Sequence, residues 1–125
     1  SGELKCFFER LIFPFLMYDE NHTSIFPGKI QTAAIFTMNL NQQFADYLGY
    51  EAKFKDVEGQ LKIIFGNAEY LVASDTVQFD DYSKYECTCF DGDAKVKRNK
   101  EVFPEDCKAA YEMGIRLIER AKAAK

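Results

Sequence analysis

Apolar residues open the chain at helical spacing. Leu4, Phe7, Phe8, Leu11, Ile12, Phe15 and Leu16 recur at i, i+3, i+4 and i+7, the stripe of an amphipathic helix. The pattern predicts a helix over about 2–17, with Ser1 or Gly2 as N-cap and Glu3 in the first turn, where negative charge suits the helix dipole. Pro14 falls inside this run and either kinks the helix or ends it near Phe13. The stretch "DENHTSIFPGK" at 19–29 is rich in turn formers and reads as a loop. "KIQTAAIFTMN" at 29–39 then carries an apolar run rather than an alternation. Such a strand belongs in a sheet covered on both faces, usually a parallel one.

Two helical stretches follow, at 41–50 with Phe44, Tyr47 and Leu48, and at 54–65 with Val57, Leu61, Ile64 and Phe65. Gly66 is placed to stop the second. "EYLVASDT" at 69–76 is a second apolar strand. Residues 79–102 are mixed, with an Asp-Gly turn signal at 91–92, and read as a β excursion or an ordered loop. Pro104, followed by Glu105 and Asp106, marks the start of a last helix over about 104–123. Its expected buried face is Cys107, Ala110, Tyr111, Gly114, Leu117, Ile118 and Ala121. Strands alternating with helices imply parallel pairing through crossover connections. Only two strands are visible, too few for a stable sheet buried on both faces.

Composition narrows the class. A chain of 125 residues suits one domain, and 47% hydrophobic residues with twelve Phe and seven Tyr exclude wholesale disorder. A net charge of −4 and one short basic cluster, "KVKRNK" at 95–100, give no nucleic-acid signature. No apolar run approaches the roughly 20 residues a membrane span needs. The opening helix is interrupted by Glu3, Glu9 and Arg10 and lacks a small-residue cleavage site, unlike a signal peptide. Cys6, Cys87, Cys89 and Cys107 have no framework spacing, as expected of reduced thiols in a cytoplasmic protein. Cys87, Cys89 and Cys107 with His22 also lack the paired spacing of a zinc site, so no metal is expected. Met17, Met38 and Met113 read as core filler.

Several segments together resemble one family. "SGELKCFFERL", with Lys5, Phe7 or Phe8, and Arg10, is similar to the helix after the third strand of the NADPH-dependent FMN reductases, which have a flavodoxin-like fold. "KIQTAAIFTMN" resembles that family's fourth strand. "EYLVASDTVQFDDYSKYE", Lys95 to Lys97 and "FPEDCKAAYEMGIRL" resemble its fifth strand, trailing segment and closing helix. The resemblance implies a partial three-layer α/β/α domain over 1–125, in which strand 29–38 is fourth and strand 69–76 fifth. The family's first three strands and two helices have no counterpart here, nor does its loop that holds the flavin phosphate. Cys87-x-Cys89 is not the cluster motif of the family's iron–sulfur relatives.

The resemblance further implies FMN as cofactor and NAD(P)H as co-substrate. In open α/β sheets ligands sit beyond the C-terminal ends of the strands. That places Thr37, Met38 and Asn39, and by the same analogy Ser1 and Gly2, as candidate flavin-binding residues. The plainer alternatives are a strand-to-helix turn capped by Asn39 or Asn41, and a free chain end at Ser1 and Gly2. Asp75, Thr76 and Asp80 to Tyr82 lie at the same end as possible proton-transfer groups or as turn and cap formers. No catalytic residue is assigned, because the flavin itself carries the chemistry. The expected function is therefore the C-terminal part of a cytoplasmic flavin oxidoreductase, inactive alone. The unpaired side of strand 29–38 is expected to meet the missing N-terminal half or a second copy, giving a homo-oligomer. The alternative is a non-enzymatic interaction module working through that edge and the 79–102 segment. A response-regulator-like domain fits less well, because no acidic cluster follows a first strand.

Overall fold

The computed structural model describes residues 2–124. Helix α1 spans Gly2–Ile12 and passes into a 3-10 turn at Phe13–Phe15. Pro14 therefore ends the α-helix rather than kinking it, because proline cannot donate to the preceding turn. Strand β1 is Ile30–Thr37, followed by α2 at Gln42–Tyr47 and α3 at Tyr50–Phe65. Gly49, at φ 70°, supplies the left-handed break between the two helices. Strand β2 is Gly66–Ala73, then come a 3-10 turn at Tyr82–Lys84, α4 at Gly92–Glu101 and α5 at Phe103–Ala123.

Gly66 has a double role. It caps α3 at φ 90°, its N–H donating to the Lys62 carbonyl, and it is also the first residue of β2. The strand consequently starts three residues before the 69–76 expected from its apolar run.

β1 and β2 form a two-stranded parallel sheet, in register from Ile30 opposite Gly66 to Thr37 opposite Ala73. Alternation along the strands separates two faces. On one, Phe36 and Tyr70 pack around Phe54 of α3, at ring-centroid distances of 4.5 and 5.9 Å. On the other, Glu69 pairs with Arg116 and Arg120 of α5, each at 3.1 Å. The chain is thus α3, sheet, α5: a mixed α/β arrangement in three layers.

The main core lies on the α3 side. Ile12, Leu61, Ile64, Phe65 and Ala68 are buried, with Phe8, Leu11, Phe15, Phe26 and Ala34 against them. Phe26 bridges Phe15 and Phe65 by two edge-to-face contacts, both at 5.0 Å. The 19–29 loop is held over this core by the Ser24 hydroxyl, which donates to the Ile64 carbonyl at 2.7 Å.

Three expectations need correction. The 79–102 segment is neither a β excursion nor a plain loop, since α4 occupies its second half. Helix α5 keeps only part of its expected inner face, with Ala110, Gly114 and Leu117 half-buried. Met113 is its buried residue, whereas Cys107, Tyr111, Ile118 and Ala121 are exposed, Tyr111 at 72%. The small residues Ala109, Ala110 and Gly114, half-buried, lie to the same side as Met113, where they permit close approach to β1. Met17 is exposed, so it is not core filler.

Exposed large apolar residues occur on most elements. Among the described residues β1 pairs only with β2, so its other edge is unpaired. Ile30 and Ile35 of β1, Phe7 and Leu4 of α1, and Tyr111 and Ile118 of α5 are exposed, Phe7 at 61%. No described helix is long and apolar enough to cross a membrane.

Candidate functional site

The backbone beyond the two strand ends is knitted together. The Met38 N–H donates to the Ala73 carbonyl at 3.0 Å, Thr76 N–H to Met38 at 2.9 Å and Asp75 N–H to Leu40 at 2.7 Å. Asp75 adopts a left-handed conformation, φ 58°, which Asp tolerates better than most residues. This brings its carboxylate back over the end of the sheet.

Lys95 reaches the same point from α4. The Asp91 side chain caps that helix by accepting from the Ala94 N–H at 3.0 Å. The cap fixes the helix phase, and Lys95 and Arg98, one turn apart, face inward. Arg98 pairs with Asp106 of α5 at 2.7 Å. Lys95 is only 6% exposed, and its ammonium donates to the Asp75 carboxylate and to the Asn39 carbonyl. The Phe90 ring centroid lies 5.3 Å from Lys95 Nζ. A buried cation is thereby compensated by one carboxylate, one carbonyl and one aromatic ring.

A cleft of about 520 Å³ opens over this cluster, lined by Asn39, Leu40, Phe44, Asp75, Phe90 and Lys95, with Asn41, Cys89, Asp91 and Ala94 at its margins. Its position beyond the C-terminal ends of both parallel strands is where open α/β sheets bind ligands. Asn39 donates through Nδ2 to the Gln78 side chain at 3.1 Å, while its Oδ1 is buried with no protein partner. That oxygen is a buried acceptor without a protein partner, closed off from solvent by its surroundings.

The 78–85 segment that follows β2, outside the cleft lining, is ordered by aromatic contacts. Phe79 stacks on Tyr85 at 4.0 Å and meets Tyr82 edge-on at 5.5 Å. Tyr82 Oη accepts from the Gln78 N–H at 3.0 Å. Asp81 caps the Tyr82–Lys84 turn by accepting from the Ser83 hydroxyl and N–H at 2.6 and 3.0 Å. The Ser83 hydroxyl, then its N–H, holds the Asp81 carboxyl below the usual aspartate range.

Of the residues expected at the site, Asn39 lines the cleft. Thr37 ends β1 and is exposed, and Met38 contributes its backbone to the strand-end pairing. Gly2 begins α1 and is not part of the cleft wall. Ser1 lies outside the described residues. The cap of α2 is Asn41, whose Oδ1 accepts from Phe44 N–H at 2.8 Å, which leaves the Asn39 side chain for the cleft. Asp75 is a structural anchor and Asp81 a cap former, while Lys95, Phe44 and Phe90 enter the site unannounced by their sequence context. Among the described residues no three His, Cys, Asp or Glu side chains converge as a metal-binding set. No protein-family model, curated protein or solved structure matches this chain.

Proposed function

We propose that this chain supplies the C-terminal part of a flavodoxin-like, FMN-dependent NAD(P)H oxidoreductase, with the flavin ring seated at the strand-end cleft. The observation that carries this reading is the cleft itself, which lies beyond both strand ends and is apolar along Leu40, Phe44 and Phe90. A planar heteroaromatic ring suits such a lining. The phosphate of FMN fits less well. Asp75 and Asp91 are acidic, and the Lys95 ammonium already serves Asp75 and Asn39. The residues here therefore suit the ring and not the phosphate, and the phosphate seat would be contributed by another segment or chain.

When bound, a flavin carries electrons as a hydride or singly, and the protein's task is to bind and orient it. In this reading Asn39, Phe44 and Phe90 line the ring and exclude water from it, and Lys95 fixes the Asn39 carbonyl and the Asp75 loop. Flavin fluorescence quenching on the full chain tests this. Binding is expected to be weak, with Kd above about 10 μM, and riboflavin should equal FMN within about twofold because no phosphate seat lies in the cleft. Phe44→Ala and Asn39→Ala should each weaken it. Tight stoichiometric FMN binding would overturn the partial-site reading, and quenching insensitive to both substitutions would overturn the cleft assignment.

A second reading is favoured by the unpaired β1 edge and its exposed Ile30 and Ile35. An edge of this kind recruits another strand, so the chain would act as an interaction module. Sedimentation at high concentration separates this reading, because a well-behaved monomer is not what it predicts.

A further inference from the structure

Cys87 and Cys89 occupy the stretch between the aromatic cluster of 78–85 and α4, and the flavin reading gives them no role. Cys6 and Cys107 are single thiols on α1 and α5. Cys87 and Cys89 are instead two residues apart, across a turn at Thr88–Cys89. Even a fully extended tripeptide separates its end Cα atoms by only about 7 Å. A disulfide needs about 4.4–6.8 Å, and a turn shortens the span into that range. Cys89 is exposed and lines the cleft, whereas Cys87 is half-buried.

We propose that Cys87 and Cys89 form a reversible dithiol–disulfide pair at the cleft rim, oxidised by low-molecular-weight disulfides that enter at Cys89 and are resolved by Cys87.

The order follows from access. Cys89 is the sulfur a solute reaches. Partial burial, and then the neighbouring Cys89 thiol, push the Cys87 thiol up from its usual range, so Cys87 is the poorer initiating nucleophile. The Cys89 thiolate attacks one sulfur of a disulfide RSSR, forming Cys89–S–S–R and releasing RS⁻, which takes up the proton Cys89 lost. The Cys87 thiolate then attacks the Cys89 sulfur, closing the intramolecular bridge and releasing the second RS⁻, which takes up the Cys87 proton. The two thiols lose two electrons and two protons, and RSSR becomes two RSH. A bridge closing so short a ring at an exposed turn belongs to the labile, exchangeable class rather than the structural one. Its closure would alter the cleft lining at Cys89, next in the chain to Phe90, whose ring lies 5.3 Å from Lys95 Nζ. The proposal does not depend on flavin binding.

The test is differential alkylation and peptide mass spectrometry of the full chain across glutathione redox buffers. Tryptic peptide Tyr85–Lys95 contains both cysteines and neither of the others. The expected result is loss of two hydrogens from that peptide, reversed by added thiol, while Cys6 and Cys107 stay reduced or take up glutathione singly. In Cys87→Ser, glutathione should accumulate on Cys89. In Cys89→Ser, Cys87 should take up glutathione at least tenfold more slowly. The proposal is overturned if the pair stays reduced while Cys6 or Cys107 is glutathionylated, or if Cys87 and Cys89 are glutathionylated independently without forming the bridge. The wild-type peptide decides the matter even if a variant fails to fold.

Discussion

Replacing Lys95 by Met keeps the apolar stem and removes the ammonium. Removing one partner of a fully buried ion pair costs about 3–5 kcal/mol. Asp75 keeps 35% of its side-chain exposure, so water recovers part of its loss, and the Asn39 carbonyl forfeits one donor. We therefore expect Lys95→Met to cost about 1.5–3 kcal/mol. Asp75→Asn leaves the more deeply buried group, the ammonium at 7% side-chain exposure, without its counter-charge, and should cost more, about 3 kcal/mol or above. Asparagine is the right replacement because it accepts the left-handed backbone at φ 58°, whereas alanine would add strain of about 1–2 kcal/mol. The double variant should cost less than the sum of the singles by about 1–2 kcal/mol. Urea unfolding reads this directly. With a slope of about 1–3 kcal/mol per molar, a loss of about 2 kcal/mol moves the midpoint by roughly 1 M. Two results would refute the reasoning: additivity within about 0.5 kcal/mol, or Lys95→Met costing more than Asp75→Asn.

Other expectations follow from the same packing. Phe65→Ala should lose about 3–5 kcal/mol in denaturant titration, because Phe65 is buried and carries the Phe26 edge-to-face contact. Gly66→Ala should lower the thermal midpoint, at a cost of about 1–3 kcal/mol, since the site has φ 90° and an added Cβ would lie 3.3 Å from the Lys29 side chain. Asp81 titrates below its ordinary range in the folded chain. Its contribution is therefore complete above about pH 4 and is lost as pH falls through the lower folded value, which amide exchange at Ser83 should follow and Asp81→Asn should remove. Ile35→Lys should leave stability within about 0.5 kcal/mol because Ile35 is exposed, yet reduce any self-association seen by sedimentation.

Elements whose apolar residues carry a period were legible in the sequence. The α1 stripe ended at its proline, β1 fell within the apolar run, and Gly66 stopped α3. What failed to show had either no periodic signal or two competing ones. Helix α4 has almost no apolar stripe, so "KVKRNK" looked like a solvated basic cluster, and only the Asp91 cap fixes the phase that turns Lys95 inward. Helix α5 carries two apolar stripes, and hydrophobicity favoured Tyr111 and Ile118. Packing turned Met113 inward beside Ala110, Gly114 and Leu117 and left Tyr111 and Ile118 outside. At the site, Asn39 was visible as a strand-end residue. Lys95 and Phe90 are brought to Asn39 by tertiary structure alone, Lys95 from 56 residues along the chain.

The Gly66 junction makes chain length itself a determinant of sidedness. With no loop between α3 and β2, there is no slack to absorb an inserted residue. One extra residue after Phe65 would advance β2 by one position against β1 and exchange its two faces. Glu69 would then turn from Arg116 and Arg120 toward the apolar layer under α3, and Tyr70 toward the arginines. Substitutions at the junction change how well the sheet is held, whereas a single insertion there changes which side of the sheet each residue serves.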